Sequence, residues 1–301
     1  MGKMDSKRLG ALLFCALSFF GVAFLSKAGW SGAMTVSLAA GLLLCFGKPL
    51  ALENRSLAQF FSLGILLWNT VMLGSIGAEV SRINGTENPL PGILLLLLAC
   101  YGVRKKNLLT TAAVTACVIG AVYGILFLFA ATEVEPRALI PRVCARPELL
   151  PTAFFPTVFL FLCTERGRKL RIQWFLGSLL LIVSAALITG GMNSEDFYTA
   201  AKSVNILGAM ERLEPFVGAV LTAGAFCAMG SLVLVNRRIL ENISGRKNFP
   251  LEEIQFILSA ILCIRAGQIS ENVRALGTTV CWGLIPVILQ GIVVLKKVQK
   301  N

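Results

Sequence analysis

Histidine is absent from all 301 residues. That removes the commonest general base, the usual zinc ligand and the usual proton shuttle at neutral pH. Charge is scarce too: 15% of residues are Asp, Glu, Lys or Arg, against about 25% in soluble domains. No ionisable residue lies at the centre of a long apolar run, so deep charges of the kind that mark proton relays are missing. There is no Walker loop, dinucleotide fingerprint, metal-ligand cluster or nucleophile–base pair. Neither cofactor nor metal is expected, and no enzymatic activity. The nine cysteines form no CxxC pair. All but Cys144 sit singly in apolar runs, where cysteine acts as a small buried hydrophobe.

What the chain has instead is hydrocarbon: 56% of its residues are hydrophobic. They gather into ten runs, Leu9–Leu25, Trp30–Gly47, Leu57–Ala78, Leu90–Val103, Asn107–Ala131, Leu149–Thr164, Ile172–Gly191, Pro215–Asn236, Ile254–Ile264 and Ala275–Leu295. A membrane helix needs about 20 apolar residues, so ten of them use most of the length. The first run is longer than a signal-peptide core and is read as a helix. The fourth and ninth runs are short, and charge decides whether they span. With ten spans and both termini cytoplasmic, the clusters Lys3-Lys7-Arg8, Arg104-Lys105-Lys106, Arg166–Arg171, Arg237–Lys247 and Lys296–Lys300 all fall inside. About two-thirds of the basic residues then face the cytoplasm, as the positive-inside rule requires. Omitting the two short runs destroys that bias. The net charge of +12 therefore records orientation in a cell membrane, not nucleic-acid binding.

The ten runs divide into two fives, residues 1–135 and 148–301, separated by the charged stretch Thr132–Glu148. Five is odd, so the second half enters the bilayer from the opposite side. That is an inverted-topology repeat, common in secondary transporters, whose first helix in each half is often broken at the binding site. Pro156 in the sixth run lacks an N–H and frees the carbonyl of Thr152, beside Phe155. Gly21 next to Phe20 eases unwinding in the first run. A simple packing kink is the alternative at both places. Asn69 is the most central polar residue of the third run, together with Thr70. Thr222 lies on a small-residue face of the eighth run with Gly218 and Ala225, a pattern that also serves close helix packing. Expected substrate-binding residues are thus Phe20, Gly21, Asn69, Thr152, Phe155, Pro156 and Thr222. Glu79, Glu211 and Glu214 are the carboxylates available for coupling or gating.

One stretch is more distinctive. Tyr198, Ser203-Val204-Asn205-Ile206 and Glu211-Arg212-Leu213-Glu214, opening an apolar helix, resemble the B-subunit permeases of spore germinant receptors. Tyr101-Gly102, Leu139-Ile140-Pro141 and the Pro151–Pro156 segment agree. These GerAB-like proteins belong to the amino acid–polyamine–organocation superfamily. The resemblance implies a ten-helix LeuT-like fold and a small nutrient, such as an amino acid, bound between the first, third, sixth and eighth segments. It also implies assembly with A- and C-type subunits in the spore inner membrane. The expected function is a permease-like subunit, germinant sensor or secondary transporter; the alternative is a structural subunit that transports nothing.

Overall fold

In hydrocarbon every backbone N–H must find its partner within the chain, and uncharged apolar runs meet that demand by coiling into helices. The computed structural model describes residues 6–25, 29–46, 56–130, 150–162, 168–192, 197–203, 214–244, 251–265 and 269–298. Thr132–Glu148 and Glu211 lie outside them.

The first half contains α1 (Ser6–Phe20), α2 (Gly29–Phe46), α3 (Ser56–Ile83), α4 (Leu90–Arg104) and α5 (Leu108–Ala130). The second contains α6 (Leu150–Val158), α7 (Arg168–Gly191), α8 (Phe197–Ser203), α9 (Glu214–Ser244), α10 (Leu251–Arg265), α11 (Glu271–Thr278) and α12 (Ile285–Val298). Every apolar run is helical over most of its described residues. Among the described residues, five helical stretches are long and apolar enough to cross a bilayer: 59–83, 108–129, 172–191, 215–241 and 272–291. The chain is an all-helical membrane protein. Its exposed side chains include Leu94, Leu98, Val114, Leu128 and Leu180, a surface suited to lipid rather than water.

Three segments are not regular. After Phe20, α1 widens into a π turn over Gly21–Leu25. The helix α6 runs through Pro156 and tightens to a 3-10 turn at Phe159–Phe161. The tenth segment is split by a π turn at Thr279–Leu284 between α11 and α12, a break the apolar pattern does not announce. Pro286 explains it in part, because proline offers no N–H to the carbonyl one turn back, here that of Trp282. The short α8 is a further element beyond the ten runs.

The helices form two groups. In one, α1, α2, α6 and α7 pack together; in the other, α3, α4, α9 and α10 do. Most pairings come with a counterpart. α1 packs on α7 as α6 packs on α2, and α3 on α10 as α9 on α4. α1 meets α5 as α6 meets the tenth segment. Other pairings lack an equal counterpart: α1 lies along α9 while α6 makes little contact with α3, and α3 packs closely on α4 while α9 and α10 touch only slightly.

Glycines set the closest approaches. A side chain on Gly92 of α4 would overlap the carbonyl of Gly77 on α3, so the two backbones touch there. On Gly224 of α9 it would lie 3.1 Å from Phe19 Cβ of α1.

Candidate functional site

α3 and α6 make little direct contact, and one side chain, Trp282 from the π turn, bridges them. It is completely buried. Its indole N–H donates to Asn69 Oδ1 on α3 at 2.7 Å. The Asn69 amide in turn donates to Asn236 Oδ1 on α9 at 2.7 Å. Asn236 returns a longer bond, 3.4 Å, to the Leu66 carbonyl of α3. The carbonyl of Trp282, deprived of its helical donor by Pro286, accepts from the hydroxyl of Thr157 on α6. That hydroxyl also lies 2.7 Å from the Phe154 carbonyl. Trp282 thus links α3, α6 and α9 through polar groups that are all buried and all paired.

Aromatic rings close the rest of this junction. Phe20, the last residue of α1 before its π turn, sits 4.3 Å from the Phe155 ring, centroid to centroid. The Trp282 ring is edge-on to both, at 5.6 Å from Phe155 and 6.2 Å from Phe20. Phe159 adds a fourth ring 5.4 Å from Phe155. The structure therefore brings together Phe20, Phe155 and Asn69, with Pro156 next in sequence. Gly21 faces away: the Ile182 side chain of α7 already fills the place its Cβ would take. Thr152 lies within α6, one turn before Pro156.

Thr222 lies elsewhere. It lines a cavity of about 1030 Å³ bounded by α9, α5, α8, Leu95 of α4 and the turn after α3. Its hydroxyl donates to the Gly218 carbonyl at 2.8 Å. Glu79 is nearer this cavity's rim than the junction in sequence, and it is held by Arg82, Nη2 to Oε1 at 2.6 Å. Glu214 is the first residue of α9.

Sequence reasoning missed Asn236, Thr157 and Trp282. A signal for Trp282 existed, since Pro286 marks its carbonyl as unpaired in the same way that Pro156 marks Thr152. Asn236 was hidden by its neighbour Arg237, which reads as the end of a span.

Two helix groups joined by broken segments, with a buried polar cluster between them, define an architecture similar to that of LeuT-type transporters. Among solved structures, a substrate-bound, outward-open Na+-coupled sialic acid symporter is similar over 96% of this chain and 76% of its own, with a TM-score of 0.50 and 12% sequence identity. At that identity the likeness is one of fold. No protein-family model and no curated protein matches the chain.

Proposed function

We propose that this chain is a permease-like membrane subunit of LeuT-type fold that binds a small, amino-acid-like solute between α1, α3, α6 and α9. One observation carries the reading. Where α3 and α6 make little direct contact, a single side chain, Trp282, bridges them and is tied to both by hydrogen bonds. Turning the indole aside leaves Asn69, Asn236 and Thr157 facing the vacated space, with Phe20 and Phe155 as its walls. The donors and acceptors that hold Trp282 then hold the solute. The paired packing of the two five-segment halves supports an inverted repeat spanning the membrane ten times, with both termini cytoplasmic. The similarity to a Na+-coupled symporter supports secondary transport.

The Glu211-Arg212-Leu213-Glu214 block supports the finer reading, a germinant-receptor B subunit working with A- and C-type partners. Glu211 and Glu214, with Glu79, are the carboxylates for coupling or gating in this scheme.

A second reading draws on the filled junction itself. With Phe20, Phe155 and Trp282 packed together, the chain serves as a structural subunit and carries nothing. Uptake separates the two. Proteoliposomes of the full chain are given each of the common amino acids in labelled form, with Na+ or proton gradients. Accumulation of at least one, reduced tenfold or more by Asn69→Ala, is the expected result. No uptake and no saturable binding of any amino acid would leave the structural reading standing alone.

A further inference from the structure

The start of α1, the end of α4 and the start of α5 meet at one end of the bundle. Three exposed cations stand in a row there, Arg104, Lys105 and Lys106. A fourth comes from another element. Arg8 of α1 donates from Nη1 to the Thr110 hydroxyl of α5 at 3.3 Å, one turn beyond Lys106. Arg104 is shared with Glu253 of α10 at 3.4 Å, both side chains being more than half exposed, and such a pair holds weakly.

The surroundings set the depth of these charges. Tyr101 is 57% exposed, and the Lys105 ammonium lies 5.8 Å from its ring centroid. Exposed tyrosines gather where hydrocarbon meets the headgroups. Deeper along the helices, Leu97 and Leu98 of α4 and Val114 of α5 are exposed as well, and α4 and α5 touch each other little. The cations therefore stand at headgroup level above apolar faces suited to acyl chains.

Lys106 is the unusual residue. The Lys106 N–H bonds to the Val103 carbonyl at 3.2 Å, and the Asn107 N–H to the Gly102 carbonyl at 3.1 Å. These two bonds close the end of α4 and need a left-handed residue between them. Lys106 supplies it with φ of 61°, alone among the described residues other than glycine. Glycine fits such a position best. The lysine found there brings a charge that the turn itself does not need.

We propose that this turn seats the phosphate of an anionic phospholipid, with Lys105, Lys106 and Arg8 around the headgroup and the acyl chains on α4 and α5. Charge complementarity selects the headgroup, since each cation near an anionic lipid surface is worth about fivefold in affinity. The apolar flanks select a lipid over a free anion. Orientation in the membrane needs only the sign of the charge. A seat for one lipid also needs cations from separate elements gathered at one place, as Arg8 and the α4–α5 turn are. The inference does not depend on solute binding at the junction.

The test is native mass spectrometry of the full-length protein, released from non-ionic detergent carrying phosphatidylglycerol and phosphatidylcholine in equal amounts. Phosphatidylglycerol is expected to be retained about tenfold more often. Lys106→Gly suits the turn and removes the charge. It should keep or raise the Tm of the parent while lowering phosphatidylglycerol retention about fivefold, and Lys105→Gln should add a similar loss. Lys106→Asn, which also tolerates a left-handed backbone, takes its place should Lys106→Gly fold poorly. Lys106→Arg keeps the retention. Arg274→Gln on α11, beyond the end of α10 that is remote from Glu253, leaves it unchanged. Equal retention of the two lipids overturns the proposal. So does a preference that survives Lys105→Gln with Lys106→Gly, or one that Arg274→Gln reduces as much. Displacement of the lipid by inorganic phosphate would make the turn a site for a free anion and overturn it too.

Discussion

Two regions of this protein place polar side chains deep among apolar helices, and they solve the problem in opposite ways. At the junction, Asn69, Asn236, Trp282 and Thr157 satisfy one another, and the rings of Phe20 and Phe155 pack against the indole. Beside α9, Thr115 lines a cavity between the helices, and its hydroxyl has no partner among the described residues. The residue types are equally modest in both places. What differs is whether a neighbouring helix brings a complementary group. A closed polar cluster fixes helices relative to one another, whereas an open one leaves its groups to whatever surrounds the protein.

The contrast is tested most severely at Asn69. Asn69→Leu leaves the indole N–H of Trp282 and the amide oxygen of Asn236 without partners, both wholly buried. Each orphaned group costs about 1–3 kcal/mol, although bonds between membrane helices average nearer 0.6. A loss of about 3 kcal/mol in reversible unfolding in detergent is expected. A variant as stable as the parent would show that the cluster does not bind the helices together.

Gly92→Ala probes the contact between α3 and α4 instead. The added methyl meets the backbone carbonyl of Gly77, so α4 must move away from α3. Overpacking of this kind costs about 1–3 kcal/mol, and about 2 is expected here. Gly120→Ala is the control, since nothing lies within 4 Å of its added carbon. Equal stability of the two variants would refute the close approach of α3 and α4.

Gln255 on α10 offers a third situation, buried yet neither paired nor beside the cavity. Both its amide oxygen and nitrogen lack partners. Gln255→Met keeps the length of the side chain and removes the unmet groups, so stability should rise by about 1 kcal/mol. A fall would mean that the amide has a bound water or ligand that matters to the fold.

Some of this was legible from the residues and some was not. The helical segments follow from runs of uncharged residues, because lipid leaves the backbone no other partner. The irregularities near Gly21 and Pro156 follow from local backbone chemistry. Asn69 could be singled out because amides are rare so deep in a span. Its partners could not, since pairing with Asn236 and Trp282 joins residues 167 and 213 positions away in the chain. Thr222 carried a small-residue signal, but small faces serve packing and cavities alike. Which of the two it serves depends on α4 and α5 standing apart, a property of three helices that no single run contains.

The smallest expected effect is the most discriminating. Thr115→Val replaces a hydroxyl by a methyl of nearly the same shape. At the junction the equivalent change, Thr157→Val, strips the Trp282 carbonyl of its donor and should cost about 1 kcal/mol. In the cavity no protein group loses a partner, and the methyl suits its apolar neighbours. Thr115→Val should therefore change unfolding stability by less than about 0.5 kcal/mol, or raise it slightly. Equal losses for the two threonines would place Thr115 in a closed cluster like that of Thr157. Its hydroxyl would then belong to the fold, and the distinction between a closed polar region and an open one would disappear.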